Sequence, residues 1–245
     1  MIEAHGLTKW FRDRRRGRVE ALSGVSFRCR PGAVFGLLGP NGAGKTTALR
    51  ILATALRPTS GGATVAGADI AREGASVRAR IGFLSAATGL YPRLTPREIL
   101  RTFGALYGME GARLEERLAE MARVFALGEF LDRPCDKLST GMKQRVGVAR
   151  TVLHDPPVLI LDEPTAGLDV LSSRTIVDFV RSERERGKTI LFSTHIMSEV
   201  ERLCDDLGVL HRGRLVFSGT LAEFPRSGGE ALEEAFLRFL TEEER

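Results

Sequence analysis

The residues with the most specific chemical pattern are Gly39-Pro40-Asn41-Gly42-Ala43-Gly44-Lys45-Thr46-Thr47. They read G-x-x-x-x-G-K-T, the pattern of a loop that holds phosphate groups. Its glycines permit positive φ and keep side chains away, so successive backbone N–H groups can wrap an anion. A helix starting there adds its partial positive charge. Lys45 has the reach for β- and γ-phosphates, and the Thr46 hydroxyl suits Mg²⁺.

Two carboxylates complement this loop. Asp162 and Glu163 follow the apolar run Val158-Leu159-Ile160-Leu161. If that run is a parallel strand, its C-terminal end faces the ligand crevice beside the phosphate loop. Asp162 is then expected to bind Mg²⁺ directly or through water, and Glu163 to act as general base on an attacking water. His195, just after Ser193-Thr194, is placed to hold the γ-phosphate and the water in line. A further stretch, Leu138-Ser139-Thr140-Gly141-Met142-Lys143-Gln144-Arg145, opens a helix. Ser139 reads as its N-cap, and Gly141 leaves backbone N–H groups open, a second anion site with no lysine of its own. Two half-sites for one triphosphate imply a dimer in which each copy completes the other's site.

The elements that must position these groups are legible from periodicity. Val34 to Leu38 reads as a buried strand before the loop, and Leu49, Leu52 and Leu56 mark one face of the helix after it. Residues 1–30 read as two strands around a charged tip holding Arg12, Arg14, Arg15, Arg16 and Arg18. That tip reads as a solvated loop, or as a contact with anionic lipid headgroups or a partner. Short strands are expected at 63–67 and 81–85. From Pro96 to Phe130 the pattern is helical, with Leu114, Leu118, Met121, Ala122 and Phe125 on one face. Helices are expected over 172–186 and 196–206, a strand over 189–193, and a hairpin over 207–219 turning near Arg212-Gly213. Leu232, Ala235, Phe236, Phe239 and Leu240 define a last helix expected to pack on the body of the same chain or of its dimer mate and to keep a glutamate-rich face wet.

Composition sets the outer bounds. The 245 residues are 43% hydrophobic and 27% charged, as in an ordinary globular chain, and the net charge of +5 suits polyphosphate or an anionic membrane face. Cys29, Cys135 and Cys204 are odd in number and form no C-x-x-C pair, which argues against a disulfide framework or a zinc site. The N-terminus lacks the apolar core of a signal peptide, and no apolar run approaches the roughly 20 residues that span a bilayer. A membrane role is therefore expected to be peripheral, through a partner.

The ordered set GPNGAGKTT, LSTGMKQR, VLILDEPTAGLD and STH resembles the nucleotide-binding subunit of an ATP-binding cassette (ABC) transporter. The resemblance covers residues 2 to about 220. It implies an α/β fold: a P-loop NTPase core with a parallel central sheet, an antiparallel β subdomain and an inserted helical signature subdomain. The expected division is one ABC ATPase domain, with core segments 1–86 and 151–220, a helical subdomain at 87–150 and a C-terminal helix at 221–245. It also implies roles. Gly39 to Thr47 is the phosphate loop, Asp162 and Glu163 are the metal and base carboxylates, and His195 is the switch histidine. Ala166-Gly167-Leu168-Asp169 crosses to the other subunit, Ser139 and Gly141 contact that subunit's γ-phosphate, and Phe11 stacks on adenine, with Trp10 as its neighbour.

The implied activity is ATP hydrolysis with ATP and Mg²⁺ as cofactors, by a homodimer or heterodimer on the cytoplasmic face of the cell membrane. Closure would drive a separate integral-membrane permease, with no nucleic acid involved. The stretch IGFLS-x-x-x-GLYPRLTPRE is similar to export ATPases of the sodium-extrusion and multidrug type. The alternative class is a soluble ABC ATPase acting on ribosomes or DNA, which usually has two cassettes or a long coiled coil. Three positions depart from the common pattern. Thr140 and Met142 replace the glycine and glutamine of LSGGQ, and Ala86 stands where the family usually places a glutamine that touches metal and water. Ser85, Thr88 or water is expected to substitute there.

Overall fold

The computed structural model describes residues 1–13, 17–85 and 89–243. Arg14, Arg15 and Arg16 of the basic tip, Ala86 and Thr88 lie outside the described residues, as do the expectations placed on them.

Among the described residues, ten strands form two sheets. The first is antiparallel, in the order β2 (Gly17–Cys29), β1 (Ile2–Asp13), β4 (Ser60–Val65), β5 (Ala68–Asp69). The second runs β10 (Arg214–Thr220), β9 (Asp206–His211), β3 (Val34–Leu38), β8 (Thr189–Ser193), β7 (Val158–Asp162), β6 (Ile81–Leu84). Its strands β9, β3, β8, β7 and β6 are mutually parallel, and only β10 at the edge is antiparallel. Central β3, β7 and β8 are buried along their whole length, as suits strands covered on both faces whose sequences are apolar apart from Asp162, Thr189 and Ser193 at strand ends.

Among the described residues, eight α-helices surround the sheets: α1 (Lys45–Leu52), α2 (Gly74–Arg80), α3 (Pro96–Leu106), α4 (Gly111–Val124), α5 (Thr140–Val152), α6 (Val170–Glu185), α7 (Met197–Leu203) and α8 (Leu232–Glu243). One core cluster joins Leu118, Phe125, Val146, Leu159 and Phe192, so α3 to α5 pack onto the parallel sheet through shared apolar contacts. A second cluster joins Leu7, Val25, Leu49, Leu52 and Val65, clamping α1 between the two sheets. On α8, Leu232, Ala235 and Phe236 are buried, and Phe239 meets Phe217 and Phe224 edge-on or tilted.

The structure corrects several boundaries. The long helical stretch divides into α3, α4 and a 3₁₀ turn at Gly128–Phe130, because Gly108 and Gly111 take φ of +71° and +55° between the first two. Thr95 starts α3 with a reciprocal capping box to Glu98. The helix expected from Ser172 begins at Val170, since Asp169 caps it by accepting from Ser172 N at 2.9 Å. The helix expected to reach Asp206 ends at Leu203, where Cys204 turns extended and feeds β9. The strand expected over 63–67 runs Ser60–Val65 and stops at Ala66 and Gly67, both with positive φ. The short elements β5 and α2 are additions to the expected set.

Candidate functional site

Residues 40–47, with Ala21 and Glu163, line a cavity of ≈ 170 Å³ at the C-terminal end of β3. The loop cannot tolerate side chains at two of its glycines. At Gly39 (φ +153°) a Cβ would lie 2.2 Å from the Leu210 carbonyl oxygen, and at Gly44 (φ +110°) one would lie 2.4 Å from the Ala21 carbonyl oxygen. The loop thus lies close against the backbone of β2 and β9 at these two glycines. Gly213 N donates to Ala43 O at 3.0 Å and ties the β9–β10 turn to it as well. Gly44 precedes α1 with no side-chain cap, which leaves the first N–H groups of α1 for a ligand.

Three sequence-predicted residues converge here. Buried Lys45 directs Nζ to the Gly39 carbonyl oxygen at 2.7 Å, to the Pro40 carbonyl oxygen at 3.4 Å and to Glu163 Oε1 at 3.4 Å. The other carboxylate oxygen of Glu163 lies 3.4 Å from His195 Nδ1. Glu163 is therefore bracketed by a lysine and a histidine. It takes φ +47°, the left-handed region that a non-glycine residue occupies at a cost, and such strain concentrates at functional sites.

Asp162 is 1% exposed, one residue before Glu163 on β7. Its Oδ1 accepts from Ser193 Oγ at 2.7 Å, whereas its Oδ2 is buried with no hydrogen-bond partner. An orphaned carboxylate oxygen in this position fits a hard cation, and the hydroxyl of Thr46 on the cavity wall is a second oxygen donor. Ser193 was not singled out as a site residue by sequence. It pairs with Asp162 in the parallel register of β8 and β7 and also accepts from Glu163 N at 3.0 Å, so one hydroxyl orients both carboxylates. The signal that could have found it is a lone hydroxyl closing an apolar strand. The partner of Thr194 was equally hidden: Thr194 Oγ1 donates to buried Glu199 at 2.8 Å and accepts from Ile196 N, shaping the turn that presents His195.

Ser139, Gly141 and Asp169 lie elsewhere, and none lines the phosphate-loop cavity. Ser139 caps α5 by accepting from Met142 N at 3.2 Å. Gly141 abuts the N-terminus of α6: a Cβ there would lie 2.6 Å from Ser172 Oγ and 3.1 Å from Asp169 Oδ2. The Ser172 N–H and hydroxyl hold the Asp169 carboxyl below the usual carboxylate range. Gln144 Nε2 donates to the Pro164 carbonyl at 2.7 Å, so α5 grips the segment that follows Glu163. Phe11 is on the β1–β2 hairpin and pairs with Val19, two residues from the Ala21 of the cavity wall. It is 41% exposed, with Lys9 Nζ 5.1 Å above its ring, and neighbouring Trp10 carries Arg18 at 5.2 Å.

Comparison with known proteins agrees with this geometry. Residues 22–166 match the ABC transporter family model. The chain is 40% identical over 222 residues to the ABC transporter ATP-binding protein NatA of Bacillus subtilis, covering 90% of each chain. It is 42% identical over 203 residues to the Nod factor export ATP-binding protein I of Paraburkholderia xenovorans, covering 83% of this chain and 67% of that one. Among solved structures, it superposes with a TM-score of 0.82, at 26% identity, on the dimeric post-hydrolysis state of an ATP-binding cassette holding ADP and Pi, covering 90% of this chain and 99% of that one. A P-loop NTPase fold, a phosphate loop facing paired carboxylates and a signature helix set apart from them all lead to one assignment: the chain belongs to the ABC transporter family, as an ATP-hydrolysing subunit of the kind that pairs into dimers.

Proposed function

We propose that the chain is the ATPase of an exporter, driving a separate integral-membrane permease from the cytoplasmic face. The observation that carries the catalytic part is the bracketed Glu163. Its carboxylate lies between Lys45 and His195, beside an Asp162 oxygen with no partner. In this reading the α1 N-terminus and the loop N–H groups bind the phosphates of ATP, and Lys45 exchanges loop carbonyls for β- and γ-phosphate oxygens. Glu163 then accepts the proton of the attacking water, and His195 holds that water and the γ-phosphate in line. Thr46 and Asp162 would hold Mg²⁺, which would supply charge neutralisation to the phosphate oxygens. Phe11 would stack on adenine.

Ser139 and Gly141 lie away from the phosphate-loop cavity of their own chain, which supports a site completed by a second subunit. Gln144 and Asp169 would report its closure to the segment around Glu163. Likeness to an export subunit supports the direction of transport. Among the described residues no helix is long and apolar enough to cross a membrane, which is consistent with a separate permease. The test is ATP turnover of the purified chain, alone and in proteoliposomes with its permease. Hydrolysis should require Mg²⁺, disappear in Asp162→Asn and rise with the permease. Turnover that survives Asp162→Asn, or a chain that copurifies with ribosomes or DNA and not with membranes, would overturn the proposal.

A further inference from the structure

Ser193, the last residue of β8, is fully buried and stands opposite Asp162 in the parallel register of β8 and β7. Its hydroxyl has one hydrogen to give. The Glu163 N–H reaches Ser193 Oγ at 3.0 Å and the Ser193 carbonyl oxygen at 3.1 Å. An amide N–H can only donate, so Oγ is the acceptor in that contact. The hydroxyl hydrogen is left for Asp162 Oδ1 at 2.7 Å, and an ionised carboxylate oxygen can only accept. The direction of the hydroxyl is thus fixed by the groups on either side of it.

The consequence falls on Asp162. This carboxylate is buried, with Oδ1 engaged by Ser193 and Oδ2 without a partner. Lys45 gives its charge to Glu163 instead. A buried carboxylate held by one hydroxyl is costly, and a cation at the free oxygen removes that cost. The two oxygens are unequal, however. Asp162 cannot turn its carboxylate, or open both oxygens to one ion, without breaking the bond from Ser193. Divalent cations differ in what they ask of such a group. Mg²⁺ is small, demands near-ideal octahedral geometry and keeps several waters, so one carboxylate oxygen suits it. Ca²⁺ is larger, takes about six to eight oxygens and accepts a carboxylate through both of them.

We infer that Ser193 is a specificity-determining residue for the metal ion: by holding Oδ1 it makes Asp162 a one-oxygen ligand, directly or through a water, and so favours Mg²⁺ over Ca²⁺. It is a positioning residue that acts through Asp162. The same hydroxyl also steadies the backbone of Glu163 at its φ of +47°, so the choice of metal and the placement of the base share one side chain. The inference rests on the reading that Asp162 and Thr46 hold the metal of a bound nucleotide, and it adds how the site chooses among divalent ions.

The experiment uses the full chain and a fluorescent, non-hydrolysable ATP analogue, titrated at saturating Mg²⁺, at saturating Ca²⁺ and in EDTA. The wild type should bind the Mg²⁺ complex roughly tenfold or more tighter than the Ca²⁺ complex. In Ser193→Ala that ratio should fall roughly three- to tenfold, part of the value of one hydrogen bond to a charged group, chiefly because the Ca²⁺ complex binds tighter. Binding in EDTA should be unchanged. Ser193→Thr keeps the hydroxyl and should restore the wild-type ratio, which a general loosening of β8 would not do. Thermal melting establishes that the variants are folded. Should Ser193→Ala not fold, Ser193→Cys is close in size with only a weak S–H donor and should lower the ratio in part. A wild-type ratio near one, a ratio unchanged in whichever variant folds, or equal weakening of both metal complexes would overturn the inference. The underlying reading is checked separately by Asp162→Asn, which should lose the metal dependence of analogue binding. If it does and the Ser193 variants leave the ratio alone, only the inference fails. If Asp162→Asn keeps full metal dependence, or the wild type binds the analogue equally well in EDTA, the reading of the metal site fails and takes the inference with it.

Discussion

Lys45 Nζ lies 3.4 Å from Glu163 Oε1, so the cation expected to meet phosphate instead meets the expected base. The same Nζ also satisfies two carbonyl oxygens of its own loop. This arrangement makes each group the other's counter-ion. It fixes what removal of the glutamate charge should do.

In Glu163→Gln the amide cannot take a proton, and its attraction to Lys45 is weakened. The expected outcome is a fall in steady-state ATP turnover of roughly 10²- to 10⁴-fold, the usual contribution of a positioned general base. Binding of a non-hydrolysable ATP analogue should be retained or tightened, because Lys45 is released toward phosphate. Dimers should accumulate with ATP on gel filtration. Turnover at the wild-type rate would assign the base to another residue.

Ser139 has two separable roles. As N-cap of α5 it accepts from Met142 N, and losing that bond costs about 1 kcal/mol of stability. As a site residue it would meet a phosphate carried by the opposite subunit. Ser139→Ala should therefore lower the melting temperature slightly and leave ATP-driven dimerisation measurable in a Glu163→Gln background. Ser139→Arg, with bulk and charge at the helix start, should abolish that dimerisation while nucleotide affinity of the monomer stays near wild type. Loss of monomer affinity in Ser139→Arg would place Ser139 in its own chain's site.

His154 predicts a pH dependence. Its ring stacks on Tyr107 with centroids 3.6 Å apart and planes at 4°, and Nε2 contacts the Ile81 carbonyl oxygen at 3.1 Å. Burial pushes its pKa down to about 4 from 6.5, with Lys188 and Arg117 assisting and the Ile81 carbonyl and Asp155 opposing. The folded state thus holds His154 neutral where the unfolded state binds a proton. The stability from this residue is complete above pH 6.5 and declines as the pH falls from 6.5 toward 4. His154→Phe keeps a ring against Tyr107 and removes the titration. Its melting temperature should be lower than wild type at pH 7, because the Ile81 contact is lost, but should change less between pH 7 and pH 5. Parallel melting curves for the two proteins over that interval would show that His154 does not contribute.

The pieces legible in the sequence were those whose chemistry is local. The glycines and Lys45 of the phosphate loop, the Asp162-Glu163 step and the Ser139 cap each follow from neighbours within a few residues. What was hidden depends on register between distant strands and on packing between layers. Ser193 orients Asp162 and Glu163 only because β8 lies beside β7 with Asp162 opposite Ser193. Gln144 reaches Pro164 only because the fold brings α5 beside the segment that follows β7. Arg150 looks like one more helix cation in the sequence, and its burial against the Phe103 ring emerges only from the packing of α5 beside α3. The division of 96–130 into two helices turns on the left-handed conformations of Gly108 and Gly111, which a helical pattern of Leu and Met does not reveal.

The last prediction concerns Gly141, a position where the sequence reading and the structure give different reasons for a glycine. The sequence suggests that glycine keeps N–H groups open to an anion. The structure adds that its missing side chain makes room for the α6 cap. A Cβ at Gly141 would lie 2.6 Å from Ser172 Oγ and 3.2 Å from Ser172 Cβ. That hydroxyl is itself bonded to Asp169 Oδ2 at 2.8 Å, so it cannot retreat without disturbing the segment expected to reach the other subunit. Gly141→Ala should therefore cost about 1–3 kcal/mol, the usual range for overpacking, and should lower ATP turnover by displacing Asp169. Ser172→Gly removes two of the three atoms that the new methyl would crowd, Ser172 Oγ and Cβ, and leaves Asp169 Oδ2 and the Ser172 N–H bond to Asp169 in place. If crowding is the cause, Gly141→Ala should be far less harmful in the Ser172→Gly background than in the wild type, and the two effects should be strongly non-additive. Additive losses in melting temperature and turnover would mean that the methyl acts on the phosphate site itself, and the packing account of Gly141 would be wrong.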